Sequence, residues 1–226
     1  MTGYMTTYME RRLICWACGH EGDHLELAST SSFGPADLDL RPAPMQRNTM
    51  RTWAQTCSSC GYVAEDIAIS PGDPGTVRRA MAAPKWIELI RQDVPPLVVA
   101  FRRLALISQE LGQTAAAGEA ELWAAWAADD ENMEPMAIEY RREAAILMQT
   151  AVSQTEMDPQ ARETTRVRLV DVLRRANKWD DAELLCAELL AELPADFTRS
   201  VLQFQVQLIG RRDVACYTLG AIQGDS

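Results

Sequence analysis

The chain has 226 residues, a formal net charge of −10 and 47% hydrophobic residues. This length suits one large or two small domains, and the apolar content supports a packed core and argues against wholesale disorder. The acidic balance makes free nucleic acid a poor partner unless positive charge is concentrated locally. Residues 1–75 hold five Arg, no Lys and nine Asp or Glu, so the N-terminal part is not such a patch and a nucleic-acid partner is disfavoured.

The chain begins MTGYMTTYMERR, which lacks the basic and apolar regions of a secretory signal. No apolar run reaches the length of about 18 residues that a membrane-spanning helix needs. We therefore expect a cytoplasmic protein with no membrane partner. Because thiols stay reduced in that compartment, the six cysteines indicate metal binding or catalysis before disulfides.

Two short patterns, CWACGH at 15–20 and CSSCGY at 57–62, repeat the order Cys, two residues, Cys, Gly and a ring. Paired C-x-x-C half-sites are typical of a structural zinc ion held by four thiolates. The ligands assigned on this pattern are Cys15, Cys18, Cys57 and Cys60. The glycine after each pair lets the backbone turn so that amides point at the sulfurs. Flanking strands are predicted at RRLI, TWAQT and YVAEDIAI, which gives a small β module like a zinc ribbon.

Other interpretations of these motifs stay open. The cysteine pairs could be unrelated free thiols or a redox C-x-x-C, although the sequence that follows does not read as the helix of a thiol oxidoreductase. Residues 20–24, HEGDH, match the zinc-peptidase pattern H-E-x-x-H, which works only on a helix. Here it begins beside Cys18 and contains Gly22. A site of three thiolates with His20 or His24 is a further alternative.

A spacer of 38 residues separates the two half-sites and contains a proline-rich polar segment at 31–52. Its charged residues include Asp37, Asp39, Arg41 and Arg47. We favour a stiff loop whose Asp–Arg pairs fix its shape against the helices, because no nucleophile–base pair accompanies the charges. The alternative is a loop that binds a ligand or a partner.

The composition changes near residue 75. SPGDPG at 70–75 interrupts regular structure, and beyond it apolar residues recur at the three- and four-residue spacing of amphipathic helices. We predict a mainly α fold with a zinc-ribbon-like module at 1–75 and a helical domain at 76–226. The helices are predicted at 76–92, 95–111, 114–129, 134–155, 159–176, 179–192 and 195–211, with a last turn or two to about 222.

Two stretches of the helical part resemble tetratricopeptide repeat units. In NKWDDAELLCAELLAELP, an aromatic (Trp179), a small residue (Ala182) and a later proline (Pro194) match the second half of that repeat. A second match contains Ala117, which lies 65 residues before Ala182, close to two repeats of about 34 residues. Because 134–155 reads as one long helix, we expect a degenerate tetratricopeptide-like array that packs on the N-terminal module.

Some helical residues have an ordinary structural interpretation. Cys186 lies on the apolar side of its predicted helix, so we expect it to fill the core. Trp123 and Trp126 are three positions apart on one apolar stripe, which favours a core position over a binding groove. Cys216 stands alone on a predicted helix.

The motifs CWACG, FGPADLDLRPAPMQRNTM and CSSCGY, followed by these helices, resemble an uncharacterised bacterial family, a domain of unknown function that joins a zinc ribbon to tetratricopeptide-like helices. The resemblance covers most of the chain and is most specific across 15–62. It implies the same fold, zinc at the four cysteines and a recurrent Asp37–Arg41 loop. Ser58 stands where a proline is common in such knuckles, which does not threaten the metal. The family has no assigned activity, so the resemblance implies no role.

Three functions are open from the sequence. We favour a non-catalytic adaptor or scaffold whose helical array binds another protein or peptide, because no catalytic set is evident. A zinc-dependent hydrolase or peptidase is an alternative that needs an open coordination position on the metal. A nucleic-acid-associated regulatory ribbon is another, and such ribbons present basic faces. We predict no catalytic residues and structural Zn²⁺ as the only cofactor.

Overall fold

The computed structural model describes residues 6–91, 93–193 and 197–222. The strands in the described residues are β1 Thr7–Ile14, β2 Glu21–Ser29, β3 Gln55–Thr56 and β4 Val63–Ala64. The helices there are α1 Pro74–Ala82, α2 Pro84–Arg91, α3 Pro96–Glu110, α4 Thr114–Asp130, α5 Glu134–Val152, α6 Pro159–Arg175, α7 Trp179–Glu192 and α8 Phe197–Gly210. Short 3-10 helices span Arg47–Thr52 and Leu219–Ile222. The fold is mainly helical, as predicted.

The strands form two separate antiparallel hairpins. β1 pairs with β2, beginning at Ile14 opposite Glu21, and β3 pairs with β4 through only two residues each. The first hairpin confirms a strand at RRLI, but TWAQT and YVAEDIAI are strand only at their ends nearest the cysteines. β2 was not predicted. Its alternating exposure has the two-residue period of a strand, but charged and small residues on both faces hide that pattern in the sequence.

The predicted helix at 76–92 is wrong, because the chain forms two helices there. Asp73 caps α1 by accepting the amide of Thr76 at 2.7 Å. Ala83 then leaves the helical conformation with ψ near 146°. The ring of Pro84 clashes with a helical residue before it, so the preceding position is pushed to extended backbone. The proline therefore ends α1 and begins α2.

The remaining helices agree with the predictions to within a few residues. The predicted helix at 195–211 corresponds to α8, although residues 194–196, including Pro194, lie outside the described residues. Each helix from α3 to α8 packs against the next. Ala117 and Ala182 are fully buried, as their small size suggests. The tetratricopeptide-like assignment stays a prediction. Within the described part of the chain, no helix has the length and apolarity needed to cross a membrane.

The helical array packs on the N-terminal module, as predicted. Met50 and Val63 belong to the same buried cluster as Phe101 of α3 and Trp126 of α4. A second cluster joins the hairpins that carry the cysteines to α1, α2 and α3, with Trp86 buried against it. The apolar cores therefore cross residue 75, and the division of the chain into two domains at that point stays a prediction.

Candidate functional site

The four predicted cysteines converge at the tips of the two hairpins. The sulfurs of Cys15 and Cys60 lie 3.9 Å apart, those of Cys18 and Cys57 lie 3.7 Å apart, and all four lie within 4.8 Å of one another. A tetrahedral zinc ion with Zn–S bonds of about 2.3 Å places its sulfurs about 3.8 Å apart. The thiols are free, and the separations far exceed a disulfide bond of about 2.05 Å. The arrangement fits a single metal ion.

The two half-sites share one backbone design. In the first, the amide of Cys15 donates to the carbonyl of His20 at 2.8 Å, and the amide of Gly19 donates to the carbonyl of Cys15 at 2.7 Å. Gly19 has φ of +75°, a conformation that costs glycine least. The equivalent residues of the second half-site, with bonds of 2.8 and 2.9 Å and φ of +74°, are Cys57, Tyr62 and Gly61. Each glycine amide therefore closes the turn and does not bond a sulfur.

Other backbone amides do point at the sulfurs. Burial acts to raise the pKa of Cys57, but hydrogen bonds from the amides of Cys60 and Ser59, together with those from the thiols of Cys60 and Cys15, outweigh it and lower that pKa to about 7. Burial raises the pKa of Cys15 against similar bonds, and burial with hydrogen bonding to neighbouring thiols raises the pKa of Cys60. A divalent cation between the sulfurs favours the thiolate form of each, so metal binding and loss of the thiol protons are coupled.

The candidate metal centre is closed on its inner side. Cys15 and Cys57 are buried against the apolar cluster formed with α1 and α2, whereas Cys18 is exposed. The ring of Trp16 lies 6.0 Å from that of Tyr62, which is fully buried. A metal ion here links two hairpins that are far apart in sequence, and four sulfurs complete a tetrahedron without a substrate position.

The H-E-x-x-H match is not helical. His20 precedes β2 and His24 lies in it, opposite Arg11 of β1. The ring nitrogen Nε2 of His20 lies 3.2 Å from the hydroxyl of Ser58. Among the described residues, the group able to hold a metal contains the four cysteines and neither histidine. The motif therefore runs into a strand and does not lie on the helix that the zinc-peptidase pattern requires.

Replacing both histidines should leave the metal in place. We expect His20→Ala/His24→Ala to retain one equivalent of metal per chain, because the four sulfurs supply the ligands. Metal analysis after exhaustive dialysis checks this, with the wild-type chain as the reference. Loss of half or more of the bound metal would instead favour a site of three thiolates and one imidazole.

The inserted segment 31–52 lies across the helices. Asp39 is fully buried and accepts the indole N–H of Trp126 at 2.7 Å, and its carboxylate lies 3.5 Å from the guanidinium of Arg175. Asp37 pairs with Arg47 within the segment at 2.6 Å. The prediction that Asp–Arg pairs shape this loop is therefore confirmed.

The remaining contacts of the segment were not foreseen. Buried Arg41 pairs with Asp130 at the end of α4, and the backbone carbonyl of Asp39 accepts the guanidinium N–H of Arg168 at 3.0 Å. The amide of Leu38 donates to the carbonyl of Tyr217 at 2.9 Å. These partners lie 89 to 179 residues away in sequence, and no local pattern identifies them.

The other predicted side-chain positions have mixed outcomes. Cys186 is fully buried and its thiol donates to the carbonyl of Leu202 at 3.4 Å, so the core prediction is confirmed. Trp126 is also buried, but Trp123 is only partly so and lines a recess. Cys216 lies in a non-helical stretch after α8, so its predicted helix is wrong. The guanidinium of Arg174 donates hydrogen bonds to the backbone carbonyls of Asp213 and Ala215 in that stretch.

Comparison of the chain with models of known protein families, with curated proteins and with solved structures found no match.

Proposed function

We propose that the chain is a non-catalytic adaptor in which a structural Zn²⁺ ion, held by Cys15, Cys18, Cys57 and Cys60, stabilises a ribbon-like module beside a protein-binding helical array. The soft sulfur donors and their near-tetrahedral spacing support zinc in this role. Four cysteine ligands leave no coordination position for water on the metal, which argues against the hydrolase alternative. The resemblance to the zinc-ribbon and tetratricopeptide-like family is part of this proposal.

One observation carries the adaptor role, namely a groove between α7 and α8 that presents apolar surface to solvent. The groove has a volume of about 420 Å³ and is lined by Trp179, Leu190, Val206 and Ile209, among others. Val206 is 48% exposed at this groove, whereas Ile209 is only 7% exposed. Large apolar side chains grouped at a groove are typical of protein interaction sites. The acidic net charge favours a protein or peptide over nucleic acid as the partner.

Affinity capture with matched variants tests the adaptor role. We expect the wild-type chain to retain a reproducible protein partner, and Val206→Glu to reduce that capture about tenfold or more, because a charge is then desolvated in the interface. Ile146→Glu is the control, since Ile146 is similarly exposed on α5 but does not line the groove. No reproducible partner, or equal capture by both variants, contradicts the proposal.

A further inference from the structure

A recess between the inserted segment and α4 has a volume of about 420 Å³. We call it the tryptophan recess. Its aromatic residues are Trp53, Trp123 and Trp126, and its carboxylates belong to Glu65 and Glu119. Exposed Glu65 and the 37% exposed Leu40 lie at its solvent side. The recess therefore combines the half-buried rings of Trp53 and Trp123 with negative charge, whereas Trp126 is only 1% exposed and contributes almost no accessible surface.

The three indole rings are held in a fixed arrangement. Trp53 meets Trp123 edge to face with ring centroids 5.2 Å apart, and it meets Trp126 in the same way at 6.4 Å. Phe101 packs edge to face on Trp123 from the core side at 5.5 Å. Trp126 is anchored by its hydrogen bond to buried Asp39. Because these contacts order the rings, little side-chain entropy is lost when a ligand contacts them.

The charge in the recess is negative. Glu119 accepts hydrogen bonds from the indole of Trp123 and from Arg168, so its charge is balanced. Glu65 has no ion-pair partner among the described residues. No Lys or Arg is among the described residues that line the recess. Arg41 lies 6.0 Å from the ring of Trp126, but its charge is paired with Asp130.

A cation with alkyl groups suits this surface better than a primary ammonium. The face of a tryptophan ring attracts a cation within about 6 Å through its quadrupole. A primary ammonium carries three N–H donors and is strongly hydrated, and Glu119 already accepts two bonds from the protein. A quaternary ammonium has no N–H to satisfy, so apolar contact with the half-buried rings of Trp53 and Trp123 is enough, and Glu65 supplies a negative charge in the same recess.

We propose that the tryptophan recess binds the quaternary ammonium group of a small organic cation. The site goes beyond the adaptor role, because it is formed by the inserted segment, α4, Trp53 and Glu65 and shares no lining residue with the groove between α7 and α8. It also gives the inserted segment a second role, in addition to its packing on the helices.

Titration of the purified full chain with choline tests this site. The indole N–H signals of the six tryptophans are followed by two-dimensional NMR and assigned with single Trp→Phe variants. We expect saturable shifts at Trp53 and Trp123, and none at Trp16 or Trp179. The uncharged isostere 3,3-dimethyl-1-butanol should bind at least about fivefold more weakly than choline, because it lacks the cation–π attraction.

Two variants with a control locate the binding. Glu65→Gln should weaken choline binding about two- to fivefold, the range of an exposed charge pair. Gln46→Lys places a competing ammonium at an exposed position of the recess and should abolish saturation. Asn48→Lys is the control, since Asn48 is exposed nearby but does not line the recess. Equal binding of the uncharged isostere, uniform shifts of all six indoles, or an unchanged Gln46→Lys variant would overturn the inference and leave the adaptor proposal unaffected.

Discussion

The variant Cys57→Ser/Cys60→Ser is expected to bind no metal and to lose the ordered structure of both cysteine-bearing hairpins. Structural zinc contributes an apparent binding free energy of about 10–16 kcal/mol in small zinc modules. That is comparable to the whole stability of a domain, about 5–15 kcal/mol. β3 and β4 pair through only two residues each, so we expect the second half-site to depend on the ion for its order.

Metal content and limited proteolysis measure this effect, with cleavage expected near residues 15–62 in the double variant only. Cys216→Ser is the matched control, because Cys216 is an exposed cysteine outside the cluster and its loss should change neither the metal nor the cleavage pattern. An intact N-terminal region in the double variant would show that the ion does not stabilise it.

The variant Asp39→Ala is expected to lower the free energy of unfolding by about 3–5 kcal/mol, the usual cost of breaking a buried ion pair by removing one partner. The carboxylate of Asp39 accepts the indole N–H of Trp126 and the backbone amide of Arg41, and it faces Arg175. Each of these groups is buried, so water does not replace the lost acceptor.

Urea unfolding of the metal-loaded chain, followed by tryptophan fluorescence, measures the cost. Asp23→Ala is the control, since Asp23 is an exposed carboxylate on β2, and its removal should change stability by less than about 0.5 kcal/mol. A double-mutant cycle with Arg175→Met should show coupling between residues 39 and 175. A loss below about 1 kcal/mol for Asp39→Ala would mean that the segment is not held by its buried charges.

The metal centre was predictable because its chemistry is local. Spacing and glycine position identify each half-site, and the two half-sites need only one ion to bring them together. The helices were predictable for a similar reason, since apolar periodicity acts within each element. The break between α1 and α2 at Pro84 also has a local cause. The apolar periodicity continues across the proline, however, and this led to the prediction of one helix.

The inserted segment shows where local patterns stop being informative. Its Asp–Arg content indicated internal pairing, and Asp37 with Arg47 confirms this. The contact of Asp39 with Trp126 spans 87 residues and depends on how α4 is placed by the rest of the array. Trp123 was assigned to the core from its spacing, but only the position of the segment determines that it lines a recess.

X-ray absorption spectroscopy of the native protein tests the central claim most directly, because it counts the ligands of the metal. The four-thiolate site predicts one zinc ion per chain with four sulfur ligands at about 2.3 Å. Absence of tightly bound metal, or a zinc ion with two or more nitrogen or oxygen ligands, would contradict it.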